Sequence, residues 1–414
     1  MSEQRTNTSP QDPRTVWNRA WNLLIRPTGE PAPAPPKLAL TTVLLIAGLL
    51  IAWRATILII TIAWARLGIL NPWEGDEERH LLSRYSLRWD AGWYLSVIRD
   101  GYSYDPEQQS NIAFFPAFPY LARLLEAPLP IGEVLAGLLV VHLALFGALL
   151  YLYQLIRIDY PAETAWRALF FLLIFPGAFF FSAFYAESLI LLGMVATVYH
   201  ARRGQWLLAG LFGAFTGLTK LIGLILIIPV GLELIRQRAL RRDNLRAWAG
   251  GALTMLGGLS YLAFLHVRYG DFRVYFWNQE QWDRESFDPD PIITFAQFVT
   301  GRDYGHLPYP GELMEIHNYY FLMDMGALFL FLAGGVYLWL RVLPAYGALV
   351  LAGALVPALS GTPLAMARHM AILFPVFLIL GRIESEPVRN AVAIISMFGL
   401  GMTTFLFVNG YWAG

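Results

Sequence analysis

Residues 38–62 read LALTTVLLIAGLLIAWRATILIITI, and the fold turns on that stretch. Its twenty-five residues carry one charge, Arg54. As a helix rising 1.5 Å per residue they reach about 37 Å, more than the roughly 30 Å hydrocarbon core of a bilayer. An arginine at that depth needs a partner or a route to an interface, so the helix is expected to turn Arg54 towards its neighbours. Ten further apolar blocks follow, at about 132–156, 165–182, 187–201, 205–219, 221–235, 247–267, 318–340, 345–360, 368–381 and 390–408. Pro176 and Pro375 interrupt two of them, as in broken helices buried against other helices. Gly213 and Gly217, four apart, permit close helix contact.

The rest of the chain agrees. Of 414 residues, 57% are hydrophobic and 14% charged, where soluble domains carry roughly 25% charged residues. The expected fold class is therefore an all-α polytopic membrane protein of about 11 transmembrane helices, its partner the lipid bilayer. Zero formal net charge gives no general attraction to nucleic acid. The absence of cysteine removes disulfides, thiolate metal sites and cysteine nucleophiles. Residues 1–37 form a separate tail. Trp17, Trp21 and Leu24 at helical spacing beside Arg19 and Arg26 read as a short amphipathic helix, and RPTGEPAPAPPK (26–37) as an extended, poorly ordered linker. Residues 38–414 form the membrane domain.

Basic residues orient it. Arg157 and Arg167, Arg202 and Arg203, RQRALRRDNLR (236–246), Arg341, and Arg382 with Arg389 mark alternate connections on the side of the tail, which the positive-inside rule makes cytoplasmic. Segments of about 63–131 and 268–317 then lie outside, as do the tight connections near 183–187, at Lys220 and at 361–368. The first outer loop carries interfacial helices, one over 91–98, followed by a turn at NIAFFPAFPYLARLL (111–125) where Pro116 and Pro119 break the run. The second, rich in proline and polar residues, reads as a lid or acceptor-binding loop. Its His306 and His317 are too far apart to be a metal site by spacing.

This topology collects distant residues on the outer face: Asp90, Glu187, Lys220, Arg368 and His369. Singly they have ordinary explanations. Asp90 and Glu187 stand where they could cap helices, and Lys220 and Arg368 where cations anchor at an interface. Together they supply an acid and several cations opposite the face where basic residues usually gather. That set suits a reaction with a lipid phosphate as leaving group. A carboxylate takes the proton of an acceptor hydroxyl, while cations or a metal stabilise the departing phosphate. Trp89, Trp93, Tyr94 and Tyr185 offer flat surfaces for a sugar or an isoprenoid chain, although interfacial belts contain the same residues.

RWDAGWYLSVIRDGY (88–102), AFFPAFP (113–119), SAFYAESL (182–189), GLTKLIG (217–223) and ARHMAILFPVFLIL (367–380) follow the order and approximate spacing of the PIG-V-like mannosyltransferases. The chain resembles a bacterial member of that family, related to GPI mannosyltransferase 2. The resemblance implies a GT-C-type bundle, a polyprenyl- or dolichyl-phosphate-mannose donor, inversion at the sugar carbon, and Asp90 as base. Glu187 matches the family's acidic position, and Arg368 the basic position before the Phe-Pro element. Lys220 stands where the family more often carries arginine, whose fork grips phosphate bidentately. Arg88, Lys220, Arg368, His369 and Glu187 are the expected donor-binding set; Asp90 and Glu187 are candidates to share a divalent cation, Mg or Mn. The resemblance places the active site outside a bacterial plasma membrane, with a glycolipid, glycan or protein as acceptor. Three alternatives stay open: a flippase or transporter of lipid-linked sugars, a structural assembly subunit that binds a glycan or lipid without turning it over, and a glycan ligase using a polyprenyl-diphosphate donor.

Overall fold

The computed structural model describes residues 25, 27–66, 86–282, 284, 293, 316–360 and 365–411. The amphipathic stretch of the tail and His306 lie outside these, as does the side chain of His317. The described residues form helices and no strand: α1 (Leu40–Arg66), α2 (Asp90–Asp100), α3 (Ala117–Glu126), α4 (Glu133–Ile156), α5 (Ala162–Ile174), α6 (Glu187–Arg202), α7 (Trp206–Thr219), α8 (Ile227–Arg236), α9 (Leu245–Tyr269), α10 (Val274–Glu280), α11 (Ile316–Arg341), α12 (Pro344–Ala358), α13 (Met366–Ala371), α14 (Pro375–Gly381) and α15 (Glu386–Val408). The chain is an all-helical, multi-pass membrane bundle.

Five helices are long and apolar enough to cross a membrane by length and composition: α1, α4, α9, α11 from Leu322, and α15. Among the described residues these five do not confirm the expected count of about eleven spans. The other apolar blocks are shorter or jointed. α5 gives way at Pro176 to a 3₁₀ turn, Pro176–Phe181, and a second turn, Leu221–Leu226, leads into α8. The block at 368–381 divides into α13 and α14 at Pro375. These jointed pieces are buried against neighbours, where freed backbone groups find partners other than water.

Small residues set the closest packing. α7 meets α9 through Gly210, Gly213 and Gly217 against Gly250, Thr254, Gly257 and Gly258; a Cβ on Gly217 would lie 2.5 Å from the Gly258 nitrogen. The spacing read from Gly213 and Gly217 is thus a helix–helix contact. At Gly257 a Cβ would come within 1.8 Å of the Ala214 carbonyl oxygen. Gly257→Ala is expected to lower the thermal unfolding midpoint in detergent by several degrees, since overpacking of this kind costs about 1–3 kcal/mol. An unchanged midpoint would mean that α7 and α9 separate freely.

The two ends of the bundle differ. At one end Arg202 pairs with Asp159 and donates to the Tyr346 hydroxyl, and Arg236 binds Glu233. The proline-rich linker runs extended across this end, but it is tied down. Thr28 and Gly29 N–H groups donate to the Arg236 carbonyl, and Ala32 N–H to that of Arg202. Its prolines remove donors, and the few remaining N–H groups find the unpaired carbonyls at two helix C-termini. Arg54, half-buried on α1, lies within electrostatic reach of His142 on α4.

The opposite end carries the loops. The stretch at 111–125 is more regular than a turn. After a short 3₁₀ segment, Asn111–Ala113, Pro116 starts the ten-residue α3, which buries Phe118 and Ala122 and exposes Tyr120 and Leu124. The segment after α9 contributes α10, which docks on the loop between α2 and α3. The Asn278 side chain accepts from the Ser110 N–H at 3.0 Å and donates to its carbonyl at 3.1 Å, as a neighbouring strand would. Trp282 packs edge-on against Trp93 and Phe114.

Candidate active site

The site forms where four helix ends meet. Ser86 accepts from the Phe184 N–H at 3.1 Å, and the Arg88 carbonyl accepts from the Tyr185 hydroxyl at 2.9 Å. The chain before α2 is thereby fastened beside the start of α6, and Asp90 and Glu187 become neighbours. Trp89, between the last tether and Asp90, has φ of 55°. A left-handed conformation is unfavourable for a residue with a Cβ by roughly 1–2 kcal/mol, so the tethers, not local preference, hold it. Trp89 occupies the cap position of α2, and Asp90 is the first residue of the helix; no side-chain cap is made there. The capping explanation for Asp90 therefore fails, and its carboxylate is directed elsewhere. Glu187 likewise opens α6 without a capping side chain.

Both carboxylates converge on one cation. Arg368, on α13, donates through Nη1 to Asp90 Oδ2 at 2.7 Å, and its Nε lies 3.5 Å from Glu187 Oε1. The guanidinium carbon sits 5.4 Å from the Phe180 ring centroid and 5.5 Å from that of Tyr185. Lys220, directly after α7, places Nζ 3.9 Å from Glu187 Oε1. Arg368 and Glu187 are almost fully buried, while the Asp90 side chain keeps 16% and the Lys220 side chain 30% of their surface. The exposed edge of the cluster is therefore made of the proposed base and one cation.

Polar capacity is left over. Glu187 Oε2, Arg368 Nε and His369 Nε2 are buried without a hydrogen-bond partner among the described residues. Buried polar groups in native proteins are seldom left so, and three within one cluster mark a place built for a polar ligand. His369 is buried within electrostatic reach of Lys220 and Arg368.

The other sequence candidates are placed differently. Arg88 is almost fully buried and donates through Nη2 to the Val408 carbonyl at the end of α15 at 2.9 Å, so it is a tether of the loop outside the cation cluster. Tyr185 is buried and used up by the Arg88 carbonyl and the face of Arg368. Tyr94 is buried, edge-on to Phe114 and Phe118. Trp93 stacks on Phe114 at 6.1 Å. Trp89 alone of these aromatics is exposed, at 39%.

Two residues escaped the sequence reading. Arg284, shortly after α10, lies within electrostatic reach of Asp90, Arg368, Lys220 and His369. An arginine in a polar loop gives no signal. Asp324, on α11, accepts from the Ala367 N–H beside Arg368 at 2.7 Å. It did carry a signal, as a lone acid inside an apolar run.

Arg368 already engages Asp90 and Glu187, and among the described residues no group of three or more His, Asp or Glu side chains is placed to hold a metal ion, so this arrangement lends a shared divalent cation no support.

Lys220 makes the cluster pH-sensitive. Burial pushes its ammonium down from 10.5 to about 8, against the pull of Glu187. The ammonium is present below that value and lost as pH rises through it. If it serves the reaction, kcat/KM in the free enzyme falls on the alkaline side near that pH. Lys220→Arg, permanently charged, should move this limb up by at least about one unit. An unmoved limb would assign it to another group.

Comparison with known proteins follows the same line. No curated protein matches the chain. Among solved structures, ArnT from Cupriavidus metallidurans bound to undecaprenyl phosphate is similar with 15% identity and a TM-score of 0.47, covering 84% of this chain and 63% of its own. The apo oligosaccharyltransferase of Archaeoglobus fulgidus is similar with 15% identity and a TM-score of 0.42, covering 87% of this chain and 56% of its own. The chain thus spans less than two thirds of the length of either. Residues 74–237, which include Asp90, Glu187 and Lys220, match the family model described as mannosyltransferase (PIG-V), the family that the motifs resemble.

Proposed function

We propose that the protein transfers a mannosyl residue from a polyprenyl-phosphate-linked donor to an acceptor hydroxyl at the outer membrane face, with inversion. The observation that carries this reading is the Asp90–Arg368–Glu187–Lys220 cluster, with its partly exposed Asp90 carboxylate and unused polar atoms. The family match over 74–237 supports mannose as the sugar.

In this reading a donor phosphodiester settles beside Lys220 and competes for the Arg368 guanidinium. Asp90, released from Arg368 but still next to it, takes the proton from the acceptor hydroxyl. The acceptor oxygen attacks the sugar C1 opposite the phosphate, the C1–O bond to phosphate breaks, and its electron pair leaves with the polyprenyl phosphate. Arg368 and Lys220 stabilise the added charge in a setting largely shielded from water. Glu187 holds the two cations apart and aligned. Trp89, exposed next to Asp90, is the aromatic placed to meet a sugar or lipid chain. The acceptor is a glycolipid, glycan or protein.

A flippase needs polar groups along the crossing path. Here Glu187 and Arg202 occupy opposite ends of the sixteen-residue α6, about 22 Å of rise apart. The Glu187 cluster sits at one end only, which supports chemistry over transport. The test is incubation of the purified protein in detergent with radiolabelled polyprenyl-phosphate mannose and a membrane extract as acceptor source. Label moving from the donor into a new product supports the reading. Transbilayer movement of labelled lipid without transfer would replace it with the flippase, and transfer only from a diphosphate donor with the ligase.

A further inference from the structure

Arg368 does not hold its own position. It is carried by α13, only six residues long, which begins after Ala365 at φ of 69° and has no capping side chain of its own. A short helix with a left-handed residue at its start has little intrinsic preference for its place. On one side its backbone lies against the 3₁₀ turn at Pro176–Phe181, so closely that a Cβ on Gly177 would come 2.2 Å from the Ala367 carbonyl oxygen. On the other side stands Asp324. This carboxylate, on α11 and 4% exposed, accepts from the Ala367 N–H at 2.7 Å, with the backbone of Ala365 and Met366 within its electrostatic reach. It therefore satisfies a free N–H group in the first turn of α13 from 43 residues away, the work that a serine or aspartate at the cap position usually does.

We infer that Asp324 is a positioning residue for Arg368: by capping α13 from a membrane helix it fixes where the guanidinium meets Asp90, Glu187 and the donor phosphate. This rests on the functional reading above. Asp324 makes no bond to Arg368 itself, so it acts through the backbone of α13. A link of this kind couples the site to the tilt and register of α11, the helix that follows the second outer segment.

The test measures the dissociation constant of undecaprenyl phosphate for the full-length protein in detergent, with thermal unfolding as the check on folding. Asp324→Asn is isosteric and keeps one acceptor oxygen; it is expected to weaken binding about 3–10-fold, the range that loss of a helix cap implies, and Asp324→Ala more. The same substitutions in an Arg368→Gln background are expected to add less than about twofold, because two residues acting through one contact are not additive. A general structural role would give the same factor in both backgrounds, and that result overturns the assignment. Binding by the Asn variant as tight as wild type does so too, and it decides the matter even if the Ala variant does not fold. A wild type that binds no undecaprenyl phosphate removes the functional reading itself, and this assignment with it.

Discussion

Asp90→Asn is expected to lower transfer from polyprenyl-phosphate mannose about 10²–10⁴-fold, the range associated with losing a general base, while the protein folds and binds the lipid phosphate. Each half of that expectation has a structural reason. The first is that asparagine cannot take a proton at neutral pH. The second is that Asp90 does not cap α2, so its charge is not what starts the helix; the Ser86–Phe184 and Arg88–Tyr185 tethers remain in place. An amide oxygen at position 90 can also still accept from Arg368 Nη1. The binding of undecaprenyl phosphate should stay within about threefold of wild type, because removing a negative charge near the clamp does not weaken it. An Asn variant that turns over at the wild-type rate with its fold intact would show that Asp90 only orients Arg368, and the base would have to be sought at Glu187.

How much of this could be read beforehand depends on what kind of signal each feature leaves in the chain. Membrane helices α1, α4, α9, α11 and α15 announce themselves, because twenty apolar residues in succession have few other uses. The jointed helices do so only in part: Pro176 and Pro375 mark where two of them break, but not what each break becomes. Whether a block with a central proline crosses as one rod or as a 3₁₀ turn and a helix depends on which neighbours satisfy the freed carbonyls, and those neighbours are remote. The site followed from topology: once the basic connections assign faces, Asp90, Glu187, Lys220, Arg368 and His369 fall on the same one, and the structure brings them together. What charge and face do not encode is side-chain direction. Arg88 is two residues from Asp90, yet it turns to the Val408 carbonyl on α15. Tyr94 and Trp89 look alike as interfacial aromatics, but α2 turns one into the core and leaves the other exposed. Asp324 could have been flagged as a lone acid in an apolar helix; that it caps a helix 43 residues on could not.

These placements make Arg368 the group on which the site depends. It is the cation touching both acids, its guanidinium lies against two aromatic faces, and its helix is clamped between Gly177 and Asp324. Such a position asks for arginine specifically. Lysine keeps the charge, but its compact ammonium lacks the planar fork that meets Asp90 and Glu187 through different nitrogens and stacks on aromatic faces such as those of Phe180 and Tyr185. Arg368→Lys is therefore expected to lower kcat/KM for the donor about 10²–10³-fold, as when one stabilising group is removed from a developing anion. The loss should appear in kcat as well as in donor KM, because the charge on the phosphate is greatest as the C1–O bond breaks. Arg368→Gln leaves the buried Glu187 and the half-buried Asp90 with only Lys220 and Arg284 nearby, and should lose both activity and several degrees of thermal stability. Lys and Gln variants that differ from wild type only in donor KM would place Arg368 in substrate capture alone. In that case the charge that drives the leaving group off would have to come from Lys220 and Arg284, and Lys220→Gln would then show the kcat defect expected here of Arg368.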